Sequence, residues 1–204
     1  MATAPNFQSE MRLLLRERVI ETARRLVCTE GWGAVNMSRV AKEVGVSRPV
    51  LYKEIGTKQE LADVVIAHEV DTFLVGIAEN LAAHPDDVIA GVLAAIDFTL
   101  RTGADNVLLK AVLSGRSAPD TALLPALMTE PEPVLGRAIA AVTAAIRDRY
   151  GMAGVSDAEL APVAETVVRL ALSHLFQPTG PVEAALAQIR VVAVGLFDPL
   201  LARN

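Results

Sequence analysis

Apolar residues recur every three or four positions along almost the whole chain, and no segment shows sustained alternation of apolar and polar residues. The first spacing lines one face of a helix, whereas alternation would indicate strands. Glycine and proline interrupt the pattern at "EGWG", "SGRSAPD", "TEPEP", "YGMAGVSD" and "FQPTGP". The chain is therefore predicted to be all-α. The predicted helices lie near residues 9–30, 37–44, 48–55, 57–80, 86–101, 104–114, 119–128, 132–150, 157–176 and 181–200.

The composition is that of a globular protein, because 52% of the 204 residues are hydrophobic and 21% are charged. The mean hydropathy of +0.38 is high, yet we see no apolar run approaching the roughly 18 residues of a membrane span and no apolar leader. A buried subunit interface, an apolar ligand cavity, or both would account for this excess. The single cysteine, Cys28, is expected to be a small buried helix residue, and we expect a cytoplasmic protein.

Charge is distributed unevenly along the chain. Residues 1–60 contain ten Lys and Arg against seven Asp and Glu, whereas residues 61–204 contain nine against seventeen. A basic N-terminal part on an acidic body favours an anionic partner at the N-terminal end.

Residues 37–55 form the most informative segment, because two short helices are joined there by a tight turn at "VGVS". Gly45 permits the positive φ that such a turn requires, and Asn36 and Ser47 can cap the two helices. The inner face is predicted to contain Val40, Val44, Val46, Leu51 and Ile55. Basic, hydroxyl and apolar groups then face outward at the start of the second helix, as a reader of the DNA major groove requires.

The segment "AVNMSRVAKEVGVSRPVLYKEIGTKQEL" resembles the DNA-binding part of the tetracycline-repressor (TetR) family of bacterial transcription regulators. The resemblance covers residues 10–61. It implies an all-α fold with a three-helix helix-turn-helix domain at residues 1–56. A larger helical bundle at residues 57–204 would bind a ligand and dimerise. It also implies a repressor that a small, largely apolar effector releases from a palindromic operator.

The resemblance assigns DNA contacts to nine residues. Ser38 and Arg39 start the second helix, Arg48, Pro49 and Val50 form the reading edge, and Lys58 takes a phosphate. The set is Ser38, Arg39, Ser47, Arg48, Pro49, Val50, Tyr52, Lys53 and Lys58. Glu54 stands where histidine or tyrosine is common, and two interpretations stay open for it: a bond from cytosine N4 or simple solvation.

Two further sets lie in the C-terminal part. Wide apolar stripes on the last two helices favour a four-helix dimer seam. Its predicted residues are Val163, Val167, Leu170, Ala171, Leu175, Ala185, Ile189, Val192, Ala193 and Leu196. The candidate ligand site comprises Phe73, Leu74, Ile77, Phe98, Arg101, Asn106, Leu123, Leu127, Met128 and His174.

The sequence carries no recognisable enzyme motif, cofactor loop or metal-ligand spacing, so we expect no catalytic residue, cofactor or metal. Two alternatives to a ligand-released repressor stay open. One is a regulator controlled by a protein partner without a ligand, and the other is a helical small-molecule-binding protein or enzyme. The operator, the effector and the regulated genes are not encoded in any motif of the chain.

Overall fold

The computed structural model describes residues 7–106, 108, 132–150, 152 and 154–202, and of residues 132–135 the backbone only. The described part is helical, with one 3₁₀ turn at Trp32–Ala34 and no strand. The helices are α1 (Phe7–Glu30), α2 (Met37–Val44), α3 (Arg48–Glu54), α4 (Lys58–Ala82), α5 (Val88–Asp105), α6 (Glu132–Tyr150), α7 (Asp157–Phe176) and α8 (Val182–Leu201).

The all-α prediction is confirmed, and most helix ends lie within a few residues of their predicted positions. The breaks follow the local chemistry: a capping box at Ser156 and Glu159 starts α7, and Asp87 caps α5 by accepting from the Ala90 amide at 2.9 Å. The helix expected at residues 86–101 runs on without a break to Asp105, which corrects the separate helix expected from residue 104. Residues 109–114 and the helix expected near 119–128 lie outside the described residues.

The chain divides into two compact units, and the division falls inside α4, between Glu69 and Val70. Sequence reasoning had placed the domain boundary earlier, after residue 56. The described part of the first unit is residues 7–69. Its core contains Val19, Ala23 and Leu26 of α1 together with Trp32, all nearly or fully buried. Small and branched side chains of α1 and α2 thus form the base on which α3 is held.

The second unit is built around α5, α7 and α8, which pack against one another. Its core includes Leu160, Ile189 and Phe197, each with no exposed surface. One described helix, α8, is long and apolar enough to cross a membrane by length and composition alone, with a mean hydropathy of 1.6. This corrects the expectation that no run approaches such a length. The buried Ile189, Ala193 and Phe197 show that one face of α8 is a core face.

A tyrosine at the end of α6 is tied to the end of α4. The Tyr150 hydroxyl donates to the Leu81 carbonyl oxygen at 3.0 Å. Gly91 of α5 leaves the space for this hydroxyl, because a Cβ added there would overlap the Tyr150 oxygen and lie 3.2 Å from the Leu81 oxygen. Gly91 is therefore a packing position in the second unit.

Cys28 is exposed, so the expectation of a buried cysteine is wrong. It lies on α1 on the side away from Val19, Ala23 and Leu26, which form the core face of that helix. Partial desolvation raises the pKa of the Cys28 thiol. A reactive thiolate needs the opposite shift.

We expect Gly91→Ala to destabilise the protein by about 1–3 kcal/mol, because the added methyl group displaces the Tyr150 hydroxyl and overfills the contact. The measurement is the free energy of unfolding from urea titration. Gly136→Ala is the matched control, since Gly136 lies in α6 with nothing within 4 Å of an added Cβ. There the better helix propensity of alanine should stabilise by up to about 1 kcal/mol. Equal effects of the two changes would contradict the assigned role of Gly91.

Candidate nucleic-acid interface

The turn between α2 and α3 is closed by backbone geometry. The Asn36 side chain accepts from the Arg39 amide at 2.8 Å and so caps α2, as the sequence predicted. Gly45 ends α2 in the left-handed region, with φ 86°. The amides of Gly45 and Val46 both donate to the Ala41 carbonyl oxygen at 3.0 Å. A residue with a Cβ would be strained at Gly45, so this glycine sets the direction in which the chain enters α3.

Helix α3 buries one side and exposes the other. Leu51 is fully buried and Ile55, just after the helix, is nearly so. Arg48, Pro49 and Lys53 are exposed. Val50 and Tyr52 are also exposed, at 40% and 44%. Because these five side chains share the outward side, the helix presents an edge of mixed charge, apolar and hydroxyl character.

Ser47, at the start of α3, differs from the capping role expected of it. Ser47 occupies the N-cap position of α3, yet its hydroxyl makes no capping hydrogen bond. Both Ser38 and Ser47 are exposed. The Arg48 guanidinium carbon lies 6.0 Å from the centre of the Tyr52 ring, so the two side chains are neighbours one turn apart.

Lys58 begins α4 and is held over a tryptophan. Its Nζ donates to the Trp32 carbonyl oxygen at 3.3 Å and lies 5.0 Å from the Trp32 ring centre. A capping box closes this helix start: the Thr57 amide donates to the Glu60 carboxylate at 2.7 Å, and the Glu60 amide donates to the Thr57 hydroxyl at 3.2 Å. The bond from the Thr57 amide to the carboxylate is the main cause that lowers the pKa of Glu60, and the Thr57 side chain lowers it further. The contacts with Trp32 therefore hold the Lys58 ammonium group beside the start of α4.

Arg39 is engaged by carboxylates. It binds Glu30 at the end of α1 through two bonds of 2.8 and 2.6 Å, and Glu43 of α2 at 3.0 Å. Arg25 pairs with the same Glu43. The hydrogen bonds from Arg39 are the main cause that lowers the pKa of both glutamates. The Arg39 charge is therefore compensated inside the unit, and its direct role is to join α1 to α2.

Glu54 is not simply solvated, which corrects one of the two interpretations of the sequence. Its carboxylate accepts from Arg12 Nε at 3.0 Å, and only 12% of its side chain is exposed. Its backbone carbonyl accepts from Arg16 Nη1 at 3.2 Å. Sequence reasoning missed both arginines. Their four-residue spacing indicates only a shared helix face and does not reveal what that face meets.

Most described members of the candidate ligand site lie in a filled core. Phe73 and Ile77 are buried, and the Phe73 and Phe98 rings stack with centres 5.7 Å apart. Gly76 makes room for the Phe98 ring. Leu74 and Phe98 are partly buried against the same core.

The polar candidates are scattered. Arg101 is on the surface, paired with Asp97 and Glu183 at 2.8 Å each. Asn106 stands at the C-terminal cap of α5. Leu123, Leu127 and Met128 lie outside the described residues. The described candidates thus include both core and surface side chains, and the ligand site stays a prediction.

His174 lines a cavity of about 160 Å³ between the ends of α5 and α7 and the start of α8. Leu100, Ala104, Leu175 and Gln188 line it as well. Its volume is below the several hundred Å³ typical of pockets for larger ligands.

The predicted dimer stripes are mostly used inside the chain itself. Six of the ten residues are buried in the core of the second unit, because α5 packs on that face of α7 and α8. These six are therefore core residues of a single chain and not the dimer seam that the sequence predicted. These are Val167, Ala171, Leu175, Ala185, Ile189 and Ala193. The other four are half-buried: Val163, Leu170 and Leu196 pack against that core, and the fourth is Val192.

A different face of α8 is exposed and apolar. Val191 is 74% exposed, and Ala184, Ala187 and Gly195 are exposed on the same side. These positions are separated by three or four residues, so they form one stripe along the helix. Nothing lies within 4 Å of a Cβ added at Gly195. Within the described residues no group of three or more His, Cys, Asp or Glu side chains is placed to hold a metal ion.

The first unit, with two short helices joined through a left-handed glycine and an exposed mixed edge on the second, has the geometry of a helix-turn-helix transcriptional regulator. A family model described as "Bacterial regulatory proteins, tetR family" matches residues 19–65. Another, described as "Bacterial Tetracyclin repressor, C-terminal domain", matches residues 87–194, more than half of the chain. The chain belongs to the tetR family of bacterial regulatory proteins, whose members bind DNA and form dimers.

Individual relatives agree with this family. The HTH-type transcriptional regulator AlkX of Mycobacterium tuberculosis (strain ATCC 25618 / H37Rv) is 29% identical over 167 residues, which cover 82% of this chain and 77% of that protein. The TetR family repressor AlkX from Dietzia sp. strain DQ12-45-1b, described as implicated in biodegradation of n-alkanes, is 26% identical with a TM-score of 0.67, over 90% of this chain and 95% of that one. A transcriptional regulator from Rhodococcus sp. Rha1 shares the fold, with 19% identity, a TM-score of 0.57 and coverage of 90% and 96%.

We expect Glu30→Gln to lower the thermal midpoint at pH 7, and this difference from the wild type to shrink as the pH falls below about 4.5. The Arg39 bonds lower the pKa of folded Glu30. Its contribution to stability is therefore present above the unfolded pKa and is lost as the pH falls through the folded one. The same change at the exposed Glu10 of α1 controls for the loss of a carboxylate. A difference that does not depend on pH would contradict the role of the ion pair.

Proposed function

We propose that this regulator represses transcription in the cytoplasm by binding a palindromic DNA site as a dimer, with α3 of each subunit in a major groove. The observation that carries the proposal is the exposed edge of α3, supported from behind by Leu51. Arg48 has the donors for a guanine edge, and Pro49 and Val50 have the apolar surface for a thymine methyl group. Tyr52 and Lys53 lie farther along the same exposed helix.

Phosphate contacts are proposed for the helix starts. Lys58 carries a cation at the N-terminus of α4, where the helix dipole disfavours it, and a phosphate would compensate that cost. Ser38 and Ser47 have exposed hydroxyl groups at the starts of α2 and α3. Arg39 is given an indirect part in these phosphate contacts. Its guanidinium is already bound to Glu30 and Glu43, so it orients the start of α2.

The dimer seam is proposed to use the exposed stripe of α8, centred on Val191, with the half-buried Val163, Leu170, Val192 and Leu196 at its edges. An exposed apolar stripe of this kind is costly in water and is covered by a second copy in a homodimer. Small residues, Ala187 and Gly195 among them, permit close approach of two helices. Two copies of α3 would then address half-sites one or more helical turns apart, about 34–36 Å per turn.

Release by a small apolar effector is the proposed control. The cavity beside His174 is lined largely by apolar groups and could hold a short aliphatic segment, with the imidazole as its polar partner. The relative from Dietzia, implicated in biodegradation of n-alkanes, favours an effector with an aliphatic chain. An effector can change DNA affinity only by binding the DNA-bound and free conformations with different affinity.

We expect Arg48→Ala to relax the base preference at one position per half-site, costing about 1–3 kcal/mol there, because a bidentate base contact is lost. Lys58→Ala should weaken binding to all duplexes alike and lower the salt dependence, because a phosphate contact is lost. The measurement is a fluorescence anisotropy titration at several salt concentrations on DNA that the protein retains from its own genome. Unchanged affinity and salt dependence in the double variant would contradict the proposed interface.

We expect Val191→Glu to convert the dimer to monomers and to raise the operator dissociation constant more than tenfold, because a charge would be buried in the seam. Sedimentation velocity measures the association state. Val75→Glu is the matched control, since Val75 is a 56% exposed valine on α4 of the same unit. If both variants remain dimers, the seam lies elsewhere on the protein.

A further inference from the structure

The first turns of α1 run beside the C-terminal end of α3. Arg12 binds the Glu54 carboxylate at 3.0 Å and Arg16 binds the Glu54 carbonyl at 3.2 Å, so both arginines meet the last residue of the recognition helix. The side chain of Arg12 is 67% exposed, whereas that of Glu54 is 12% exposed. The two arginines are four residues apart and share one face of α1.

The length of α3 fixes what a group at its C-terminal end meets in a complex. A helix of seven residues is about 10 Å long, at about 1.5 Å per residue. A recognition helix puts its N-terminal residues against the base edges, in a groove about 8.5 Å deep and about 12 Å wide. The other end of α3 is then no more than about 10 Å from the bases, so a side chain as long as arginine at that end is within reach of the phosphates that border the groove.

The chemistry of the cluster suits phosphate. A guanidinium has five donor hydrogens in a planar fork. The bond from Arg12 to Glu54 uses only Nε, and the bond from Arg16 uses only Nη1. Lys53, adjacent in sequence to Glu54, is exposed. Two guanidinium groups therefore meet Glu54, one at its carboxylate and one at its backbone carbonyl, and a single carboxylate compensates only one of these charges.

We propose that Arg12 and Arg16 bind the DNA backbone at the groove rim, and that Glu54 is a positioning residue that aims Arg12. This inference rests on the proposed function, because it requires α3 to enter the groove. It extends the DNA-binding surface to the first turns of α1. It also gives Glu54, an acid next to a polyanion, a role that does not require contact with the DNA.

The test is the double variant Arg12→Ala/Arg16→Ala, titrated by fluorescence anisotropy against the DNA fragment that the protein retains and against a random duplex of the same length. We expect affinity for both duplexes to fall at least about tenfold at 0.1 M salt. The slope of log affinity against log salt should fall by roughly 1.8 per subunit, since each phosphate contact contributes about 0.9. Arg12→Lys/Arg16→Lys should restore most of the slope, because the charges are retained.

Arg18→Ala is the matched control, because Arg18 lies on another face of α1, beside Leu14 and Glu21. It should leave the slope unchanged. Glu54→Gln distinguishes phosphate binding by the arginines from a role in holding α3 in place. The salt slope should be retained, because both arginines remain. Affinity for the retained fragment should fall less than tenfold. A loss of slope in Glu54→Gln equal to that in the double alanine variant would show that the cluster only supports α3, and would overturn the inference.

The inference and the proposed function fail in different ways. If the double alanine variant keeps the wild-type slope while Lys58→Ala lowers it, the phosphate role of Arg12 and Arg16 is refuted and the interface stands. If Arg48→Ala also leaves affinity and base preference unchanged, and neither the double alanine variant nor Lys58→Ala changes affinity or slope, α3 does not read DNA and both proposals fall together.

Discussion

The burial of Leu51 is the contact on which the DNA-binding edge depends. Helix α3 has seven residues, and Leu51 is the one among them that is buried, joined by Ile55 directly after the helix. A buried leucine stabilises by about 1.5–3 kcal/mol, a small amount for holding a helix in a fixed direction. The left-handed turn at Gly45 and the bonds from α1 to Glu54 supply the remaining constraint. Every exposed side chain of α3 is aimed by this small set of contacts.

Ion pairing divides the basic residues of the first unit into two kinds. Arg39 is saturated by Glu30 and Glu43 and joins two helices, whereas Arg48 stands against an aromatic ring on the exposed edge. In the sequence these arginines look alike. Only their partners distinguish an arginine that builds the domain from one that is free to meet a phosphate or a base, because a guanidinium already bound by two carboxylates gains little from a third anion.

The second unit shows the same ambiguity for apolar residues. Helix α8 has one face in the core, with Ile189 and Phe197, and another exposed, with Val191. Periodicity predicted that α7 and α8 carry wide apolar stripes. It did not predict which stripe of α8 packs against α5 and which stays exposed in the single chain. Both are apolar at helical spacing, and the choice depends on the angle at which three helices pack.

The sequence by itself determined the helices, their ends, the glycine turn and the outward side of α3, because all of these follow from contacts within a few residues along the chain. The resemblance of "VAKEVGVSRPVLYKEIGTK" to one family extended that knowledge to DNA binding. Only the tertiary structure decided that Arg12 and Arg16 contact Glu54. The same holds for the pairing of Arg39 with Glu30 and for the stacking of the Phe73 and Phe98 rings. These contacts join residues on different helices. These contacts depend on how the helices of each unit pack, and a local pattern of residues does not predict that packing.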